Sequence, residues 1–535
     1  MNHECDVLVI GGSLVGMSTA LLLAHQGVRA TVVEHHRGTA IHPRAAQITQ
    51  RTMEILRSVG IEQIVREKSG EQFVQDGAIM AVDTLNGREL THFIANLNEG
   101  IRDVSPCERV FISQSLLEPL LRERAEELGA DLRFATDVIS FTQDQSGVTA
   151  TLRHRDSGEE AVVRAPWMVA ADGAHSRTRD RLGIAMHGHG TFSRSITIYF
   201  RADVTGLLRG RNLSVIYVNN PTLRGFFRFE KPFDRGFLAI NALGDPAHPI
   251  TDVATGLTEE RARELVGIAL GSDAVPITIE NMMPWNASAE VATRFRSGRV
   301  FLAGDSAHAM PPNGGFGGNT GVQDAHNLAW KLAMVLHGEA DEALLETYDV
   351  ERRPVGVFTT EQAYSRYVTR TAPYIGTDGM QPVAGDLDVE LGYAYDSRAV
   401  CGAAPPAHEH PRESRGRPGT RAPHVWIARH GQRLSTLDLC EPRFTLIAPR
   451  DGGGWCSAAT AAASRARVRF AGYRAGVDFE DPDRALSDAY GIGADGAALV
   501  RPDGFVGWRS AESAGAMADG AVETIAAALR AMTGR

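Results

Sequence analysis

Lysine is nearly missing from this chain. It stands only at 68, 231 and 331, so arginine supplies almost all of the 55 basic residues, a coding bias rather than a binding signal. Cysteine is scarce. Cys5, Cys107, Cys401, Cys440 and Cys456 form no CxxC pair and no Cys/His group with zinc spacing, which excludes a dithiol redox centre and a zinc site. Scattered single thiols fit a reducing compartment, so a cytoplasmic protein is expected. No basic stripe interrupts a net charge of −10, and this argues against nucleic acid or an anionic membrane surface as partner. No apolar run approaches the roughly 20 residues that cross a bilayer, and no basic and apolar leader precedes the first strand-like run. What remains is ordinary for globular domains, 43% hydrophobic and 22% charged, in a chain of 535 residues long enough for more than one core.

Glycine is abundant, and three glycine-rich segments stand out. The first follows a short apolar run, Val7-Leu8-Val9-Ile10, as Gly11-Gly12-Ser13-Leu14-Val15-Gly16. Leu14 to Ala24 then reads as a helix closed by Gly27, and Ala30 to Val33 as a second strand ended by Glu34. This βαβ context raises a glycine fingerprint above chance. Gly11 permits the tight turn and Gly16 the close helix–strand packing, while the helix N-terminus offers free N–H groups to a pyrophosphate. Glu34 lies where a carboxylate meets a ribose. Ser13 replaces the middle glycine of GxGxxG, so the fingerprint is degenerate.

The second segment is Ala171-Asp172-Gly173-Ala174-His175-Ser176-Arg177-Thr178-Arg179. The third, Gly304-Asp305-Ser306-Ala307-His308, is followed by Pro311-Pro312-Asn313-Gly314-Gly315-Phe316-Gly317-Gly318-Asn319 and a helix over about 320–336. Asp172 and Asp305 each follow an apolar strand, at the carboxyl edge where α/β sheets bind ligands. Asp-Gly alone also reads as a hairpin turn, but the residues after it lack hairpin alternation. In this order and spacing the three segments resemble those of FAD-dependent aromatic hydroxylases, the p-hydroxybenzoate hydroxylase-like class A monooxygenases. Within the class the chain is similar to the aromatic polyketide hydroxylases of antibiotic biosynthesis, above all those acting on anthracycline aglycones.

The resemblance implies an α/β fold in three parts. A Rossmann-like FAD-binding domain spans 1–72, 101–183 and 284–400, and an inserted antiparallel-sheet substrate domain spans 73–100 and 184–283. A linker at 401–420 leads to a thioredoxin-like domain at 421–535. Period-two alternation in Ser195 to Arg201 and Leu213 to Val218 independently favours the antiparallel sheet. Pro354 resembles the family's turn between two helices. FAD, bound non-covalently, is implied at Gly11, Gly12, Ser13, Gly16, Glu34, Arg44, Gln114, Asp172, Gly173, Asp305, Pro312, Gly317, Gly318 and Asn319. In isolation Arg44 reads equally as a solvated helix start, and Gln114 as surface. No second glycine fingerprint in βαβ context is found, so NAD(P)H is expected as a transient co-substrate.

The chemistry implied is reduction of FAD by NAD(P)H and addition of O2 at C4a to give a hydroperoxide. A phenolic ring of a polycyclic aromatic substrate, such as C-11 of an aklavinone-like aglycone, then attacks the distal oxygen. Tyr217, in the middle of a cover-sheet strand, is the candidate to share the phenol proton. Arg366 is the candidate to hold a phenolate or lower a tyrosine pKa, and Pro312 faces the reacting edge. On local sequence Tyr217 reads equally as sheet packing and Arg366 as a surface charge. Two alternatives stay open: Baeyer–Villiger oxygenation of a related polyketide, and flavin binding without turnover. No metal, nucleic acid, membrane or obligate protein partner is expected.

Overall fold

The computed structural model describes residues 2–41, 47–245, 247–440, 442–514 and 520–535. Short β-branched and apolar runs build its central six-stranded sheet, in the order Arg296–Ser297, Val300–Leu302, Trp167–Ala170, Val7–Ile10, Ala30–Val33 and Asp131–Arg133. All its neighbours run parallel except the first pair. The strands Val7–Ile10, Ala30–Val33 and Trp167–Ala170 are buried throughout because both faces are covered. The helices Leu14–His25, Gln114–Glu127 and Phe316–Leu336 pack on one side. A four-stranded sheet of Asn2–Glu4, Glu160–Ala165, Gly147–His154 and Thr136–Asp144 closes the other through Val148, Ala150, Leu152 and Val163.

An eight-stranded sheet stands over this unit, in the order His308–Ala309, Thr278–Ala292, Met186–Arg201, Arg235–Leu243, Leu223–Glu230, Leu213–Asn219, Ala78–Val82 and Glu89–Ile94. Its pairs are antiparallel with one exception: Leu213–Asn219 runs parallel to Ala78–Val82. Successive side chains alternate between two environments. Ile196, Ile198, Phe200, Ile216, Phe227, Leu238 and Ile240 pack with the helix Glu259–Leu270, while Tyr217, Phe226 and Arg228 take the opposite face. The strand Thr278–Ala292 runs past 283 without a break, so this sheet and the FAD-side residues from 284 share one strand.

The C-terminal strands are ordered Phe470–Arg474, Phe444–Ala448, Ala497–Val500 and Val506–Ser510. The first pair is parallel around the helix Gly453–Ala466, the other two pairs are antiparallel, and Ala521–Thr533 closes the chain. A βαβ unit followed by ββα in this order is a thioredoxin-like arrangement. The expected linker lies docked. Cys401 N donates to Gly507 O at 2.7 Å, Gly419 N to Val506 O at 2.7 Å, and Ala394 bridges Thr420.

One expectation is corrected. Pro354 makes no turn but lies inside a single helix, Thr347–Arg370. Proline removes one donor from the helix interior, and Val350, four residues earlier, is exposed, so water can take the freed carbonyl. No helix among the described residues is long and apolar enough to cross a membrane.

Candidate active site

The first glycine segment is held by close contact rather than by composition. Gly11 has φ +98°, and a Cβ on Gly16 would stand 1.8 Å from the Gly11 carbonyl oxygen. The helix Leu14–His25 begins at Ser13 with no side-chain cap and no acid in its first turn. Its N-terminal N–H groups and positive dipole end are therefore left open to an anion. The Ser13 hydroxyl donates to Glu118 Oε1 at 2.6 Å, and Gln114 Nε2 donates to Ser13 Oγ at 2.6 Å. Sequence reasoning missed Glu118, which is fully buried and also accepts from Ala40 N at 2.6 Å. Its only signal was the i,i+4 spacing from Gln114 on one helix face. Glu34 accepts from Gly12 N at 2.5 Å and from His36 N at 2.6 Å, which fixes its carboxylate against the glycine turn. Arg44 lies outside the described residues.

The second segment folds as a strand-to-helix turn. Asp172 accepts from Ser176 Oγ at 2.5 Å and Thr178 N at 3.1 Å, and Ser176 caps the helix Arg177–Arg181. Gly173 has φ +81° with open space where a side chain would be. Buried Arg179 donates to Ser306 O at 3.2 Å and so ties this segment to the third. There Gly304 has φ +63° and packs on Val15 of the first helix, leaving Asp305 exposed at the same edge. Beneath it Asp324 is fully buried, with Arg352 Nε at 2.8 Å and His308 Nε2 at 2.7 Å. Burial pushes the Asp324 carboxyl up, but the Arg352 charge and the hydrogen bonds from His308 and Arg352 outweigh it and hold the group below the usual range.

The glycine loop opens the helix Phe316–Leu336 at Gly315, which has φ +67°, again with no side-chain cap and no acid in the first turn. Gly317 and Gly318 sit in this first turn, and Pro312 is exposed on the loop. Asn319 is buried. It accepts from Thr49 N at 2.9 Å and donates to Gln47 O at 2.8 Å and Gly315 O at 2.7 Å, pinning the loop to the chain entering the helix Gln50–Ser58.

Tyr217 reaches this loop from the cover sheet. Its hydroxyl accepts from Asn313 Nδ2 at 3.3 Å, and the same amide donates to Thr371 Oγ1 at 3.2 Å. Phe93 stacks edge-on to Tyr217 at 5.5 Å, with Phe226 beside it at 5.9 Å. Asn313 was visible in sequence only as one residue of the loop. Arg366 is 1% exposed and is no surface charge. It donates to Asp386 Oδ1 at 2.7 Å, Ala384 O at 2.7 Å and Gln362 Oε1 at 2.8 Å, and lies over the Phe316 ring. Among the described residues no hydrogen bond joins it to Tyr217. No group of three or more His, Cys, Asp or Glu among them could hold a metal ion.

Three segments far apart in sequence thus meet at one sheet edge, with two open helix N-termini and a hydroxyl-bearing cover. Comparison with known proteins agrees. Residues 4–363 match the FAD binding domain family, and residues 415–535 match the family described as aromatic-ring hydroxylase, C-terminal. The chain belongs to the FAD-dependent aromatic-ring hydroxylases. This hydroxylase is 50% identical over 520 residues to a 4-methyl-5-nitrocatechol 5-monooxygenase of Burkholderia sp, covering 96% of this chain and 95% of that protein. It is 38% identical over 542 residues to an aklavinone 12-hydroxylase of Streptomyces purpurascens, with both chains fully covered. The crystal structure of an aklavinone-11 hydroxylase with FAD and aklavinone superposes with a TM-score of 0.92 at 38% identity, covering 100% of this chain and 99% of that one. FAD is the cofactor of the hydroxylase, and NAD(P)H is the co-substrate typical of its class. The turn at Gly11, Gly12 and Gly16, which leaves no room for a Cβ, and the uncapped helix behind Ser13 suit its pyrophosphate.

Proposed function

We propose that the hydroxylase inserts one oxygen atom from O2 into a phenolic ring of a polycyclic aromatic polyketide, with NAD(P)H as reductant. The observation that carries this reading is the Asn313–Tyr217 hydrogen bond, which joins a hydroxyl of the cover sheet to the glycine loop. We divide the chain as the sequence suggested, with the FAD-binding part at 1–72, 101–183 and 284–400 and the substrate part at 73–100 and 184–283. Gly11, Gly12, Ser13, Gly16, Asp172 and Gly173 would hold the pyrophosphate end of FAD, Glu34 a ribose and Asp305 the ribityl chain. Gln114 and Arg44 would flank the cofactor, and Pro312, Gly317, Gly318 and Asn319 would border its ring system. When bound, FAD supplies electron transfer from NAD(P)H to oxygen.

The protein's own tasks are then few. The N-terminus of Phe316–Leu336 would turn a positive dipole end toward the ring system of bound FAD, where it would favour added negative charge. The cover sheet keeps water from the reacting edge. The Tyr217 hydroxyl hydrogen-bonds the substrate's phenol oxygen and fixes the ring's orientation. Arg366 acts at one remove, by bracing Phe316 and the loop. A cytoplasmic enzyme with no nucleic-acid, membrane or obligate protein partner suits its charge and single thiols.

A second reading keeps the chemistry and changes the ring. The Burkholderia relative, named for a nitrocatechol, is more similar to this chain than the aklavinone hydroxylases are. The deciding assay supplies purified holoenzyme with NADPH, O2 and either tetracyclic phenols or methylnitrocatechols, with products identified by mass spectrometry and NMR. A ring-hydroxylated tetracycle is expected. Turnover of nitrocatechols alone transfers the assignment to the second reading, an inserted ring oxygen beside a ketone marks a Baeyer–Villiger enzyme, and no substrate-stimulated NADPH oxidation overturns both readings.

A further inference from the structure

Arginines are buried in many places here, and their partners are informative. Arg51 and Arg421 meet Glu54, Arg109 meets Glu390, Arg352 meets Asp324, Arg366 meets Asp386 and Arg501 meets Glu351. Arg228 breaks the pattern. It is 6% exposed, and among the described residues no carboxylate pairs with it and no acceptor takes a hydrogen bond from its guanidinium. Instead the guanidinium lies 3.9 Å from the ring centre of Phe111 and 5.3 Å from that of Phe73. Ring faces offset only part of the cost of burying a charge.

Its position follows from sheet register. Phe226 pairs directly with Tyr217, and Arg228 stands two residues on, on the same face of the same strand. Tyr217 from the adjoining strand is the titratable neighbour on its face; Glu230, at the strand end, accepts instead from Gln72. Burial pushes the Arg228 pKa down to about 9, which still leaves it cationic at neutral pH. Phe111 ends the strand that pairs with Gln47–Ile48, the segment that Asn319 pins beside the glycine loop. The lone cation therefore stands on the Tyr217 face of the cover sheet, against the Phe111 strand end that pairs with Gln47.

We propose that Arg228 is the anion-holding residue of the hydroxylation chamber: a phenolic substrate binds as its phenolate, the ionised oxygen against the Arg228 guanidinium and within reach of the Tyr217 hydroxyl. The phenol proton is left to solvent, and the ring is bound already electron-rich. This rests on the reading of the chamber as the substrate site. Arg366, neutralised by Asp386, cannot supply the same field.

The test uses 4-nitrocatechol as an optical probe, because its phenol and phenolate forms differ in colour. Wild-type holoenzyme, Arg228→Met, Arg228→Gln and Arg228→Lys are titrated with it across pH, with the FAD-to-protein ratio recorded. In wild type the bound probe is expected to ionise at least one pH unit below the free probe. Both neutral variants should keep FAD, lose that shift and bind the phenolate at least tenfold more weakly, and the lysine variant should recover part of both. Melting temperature should not fall in Arg228→Met, because an unpaired buried charge is removed. A wild-type bound probe that ionises at or above the free value overturns the inference, whatever the variants do. So do neutral variants that match wild type. A wild-type enzyme that binds no phenol at all overturns the reading of the chamber instead.

Discussion

At the scale of single residues, function turns on what each polar group is left free to do. The Tyr217 hydroxyl accepts one weak hydrogen bond from Asn313 and so retains its own proton to offer a substrate. Tyr217→Phe is expected to keep FAD and bind substrate but to hydroxylate at least roughly tenfold more slowly, because small misplacements near the chemistry cost about that much or more. Peroxide release measured against NADPH consumption should rise in step. Full, coupled turnover would move the proton-sharing role elsewhere. Asp305 stands exposed at the edge where the three segments meet, and Asp305→Ala should weaken FAD by about 1.5–3 kcal/mol, read by fluorescence titration of the apoprotein. Unchanged affinity would remove Asp305 from the cofactor site. The thiols of Cys440 and Cys456 are pushed up by burial, to about 12 and about 11. They are poor nucleophiles at neutral pH, so replacing both by serine should leave kcat within roughly tenfold of wild type.

At the scale of elements, the two helix N-termini share one design. Leu14–His25 and Phe316–Leu336 both start without a side-chain cap and without an acid in the first turn. Gln50–Ser58, Gln114–Glu127 and Gly453–Ala466 start the same way, so what marks the two is their place at the glycine segments, where an open dipole end can meet a ligand. The first helix can sit so close to its strand only because Gly16 has no Cβ, and a methyl there would meet backbone that cannot yield. Gly16→Ala is therefore expected to lower stability by more than about 1 kcal/mol and to release flavin, followed by thermal melting with FAD fluorescence. A variant with wild-type melting and flavin content would refute the close-packing argument. The βαβ unit and the cover-sheet strands were legible in sequence because period and turn residues are local signals. Pro354 was misread as a turn, since whether a helix survives a proline depends on which neighbouring carbonyl faces water.

At the scale of the whole molecule, the thioredoxin-like domain is joined to the rest of the chain by a buried charge cluster and a shared core. Arg501 and Asp503 enter a fully buried cluster with Glu351 and Lys331, in which Arg501 meets Glu351 at 2.7 Å and Lys331 meets it at 2.8 Å. Trp330 and Met334 of the glycine-loop helix share a core with Trp455, Leu446 and Leu529. Arg501→Met would leave Glu351 short of one cation in a dry site, and should cost about 3–5 kcal/mol in unfolding free energy. Melting equal to wild type would show the cluster to be dispensable. Burial pushes both Glu351 and Glu54 up, but Arg501 and Lys331 for the first, and Arg421 and Arg51 for the second, hold them below the ordinary range. Folded values below unfolded ones mean that this stability is whole above the unfolded carboxylate range, about pH 4–5, and is lost as pH falls through and below it. Circular dichroism melts from pH 7 down to pH 2 should show that loss setting in below about pH 5, reduced in Glu351→Gln.

The sequence alone determined the cofactor class and the outline of the fold. Gly11, Gly16 and Gly173 answer local demands, a positive φ or backbone contact with no room for a side chain, and such demands are written residue by residue. The tertiary structure decided which charges are free. Arg366 and Arg228 look alike in the chain. One finds Asp386 and is neutralised; the other is carried by sheet register to Phe111 and Tyr217, with no carboxylate paired to it among the described residues. Glu118 beneath Ser13, Asn313 beneath Tyr217 and the docking of Arg501 against Glu351 were likewise settled by folding. Burial and pairing are relations between residues distant in sequence, so the energy of a charge is unknown until its surroundings are.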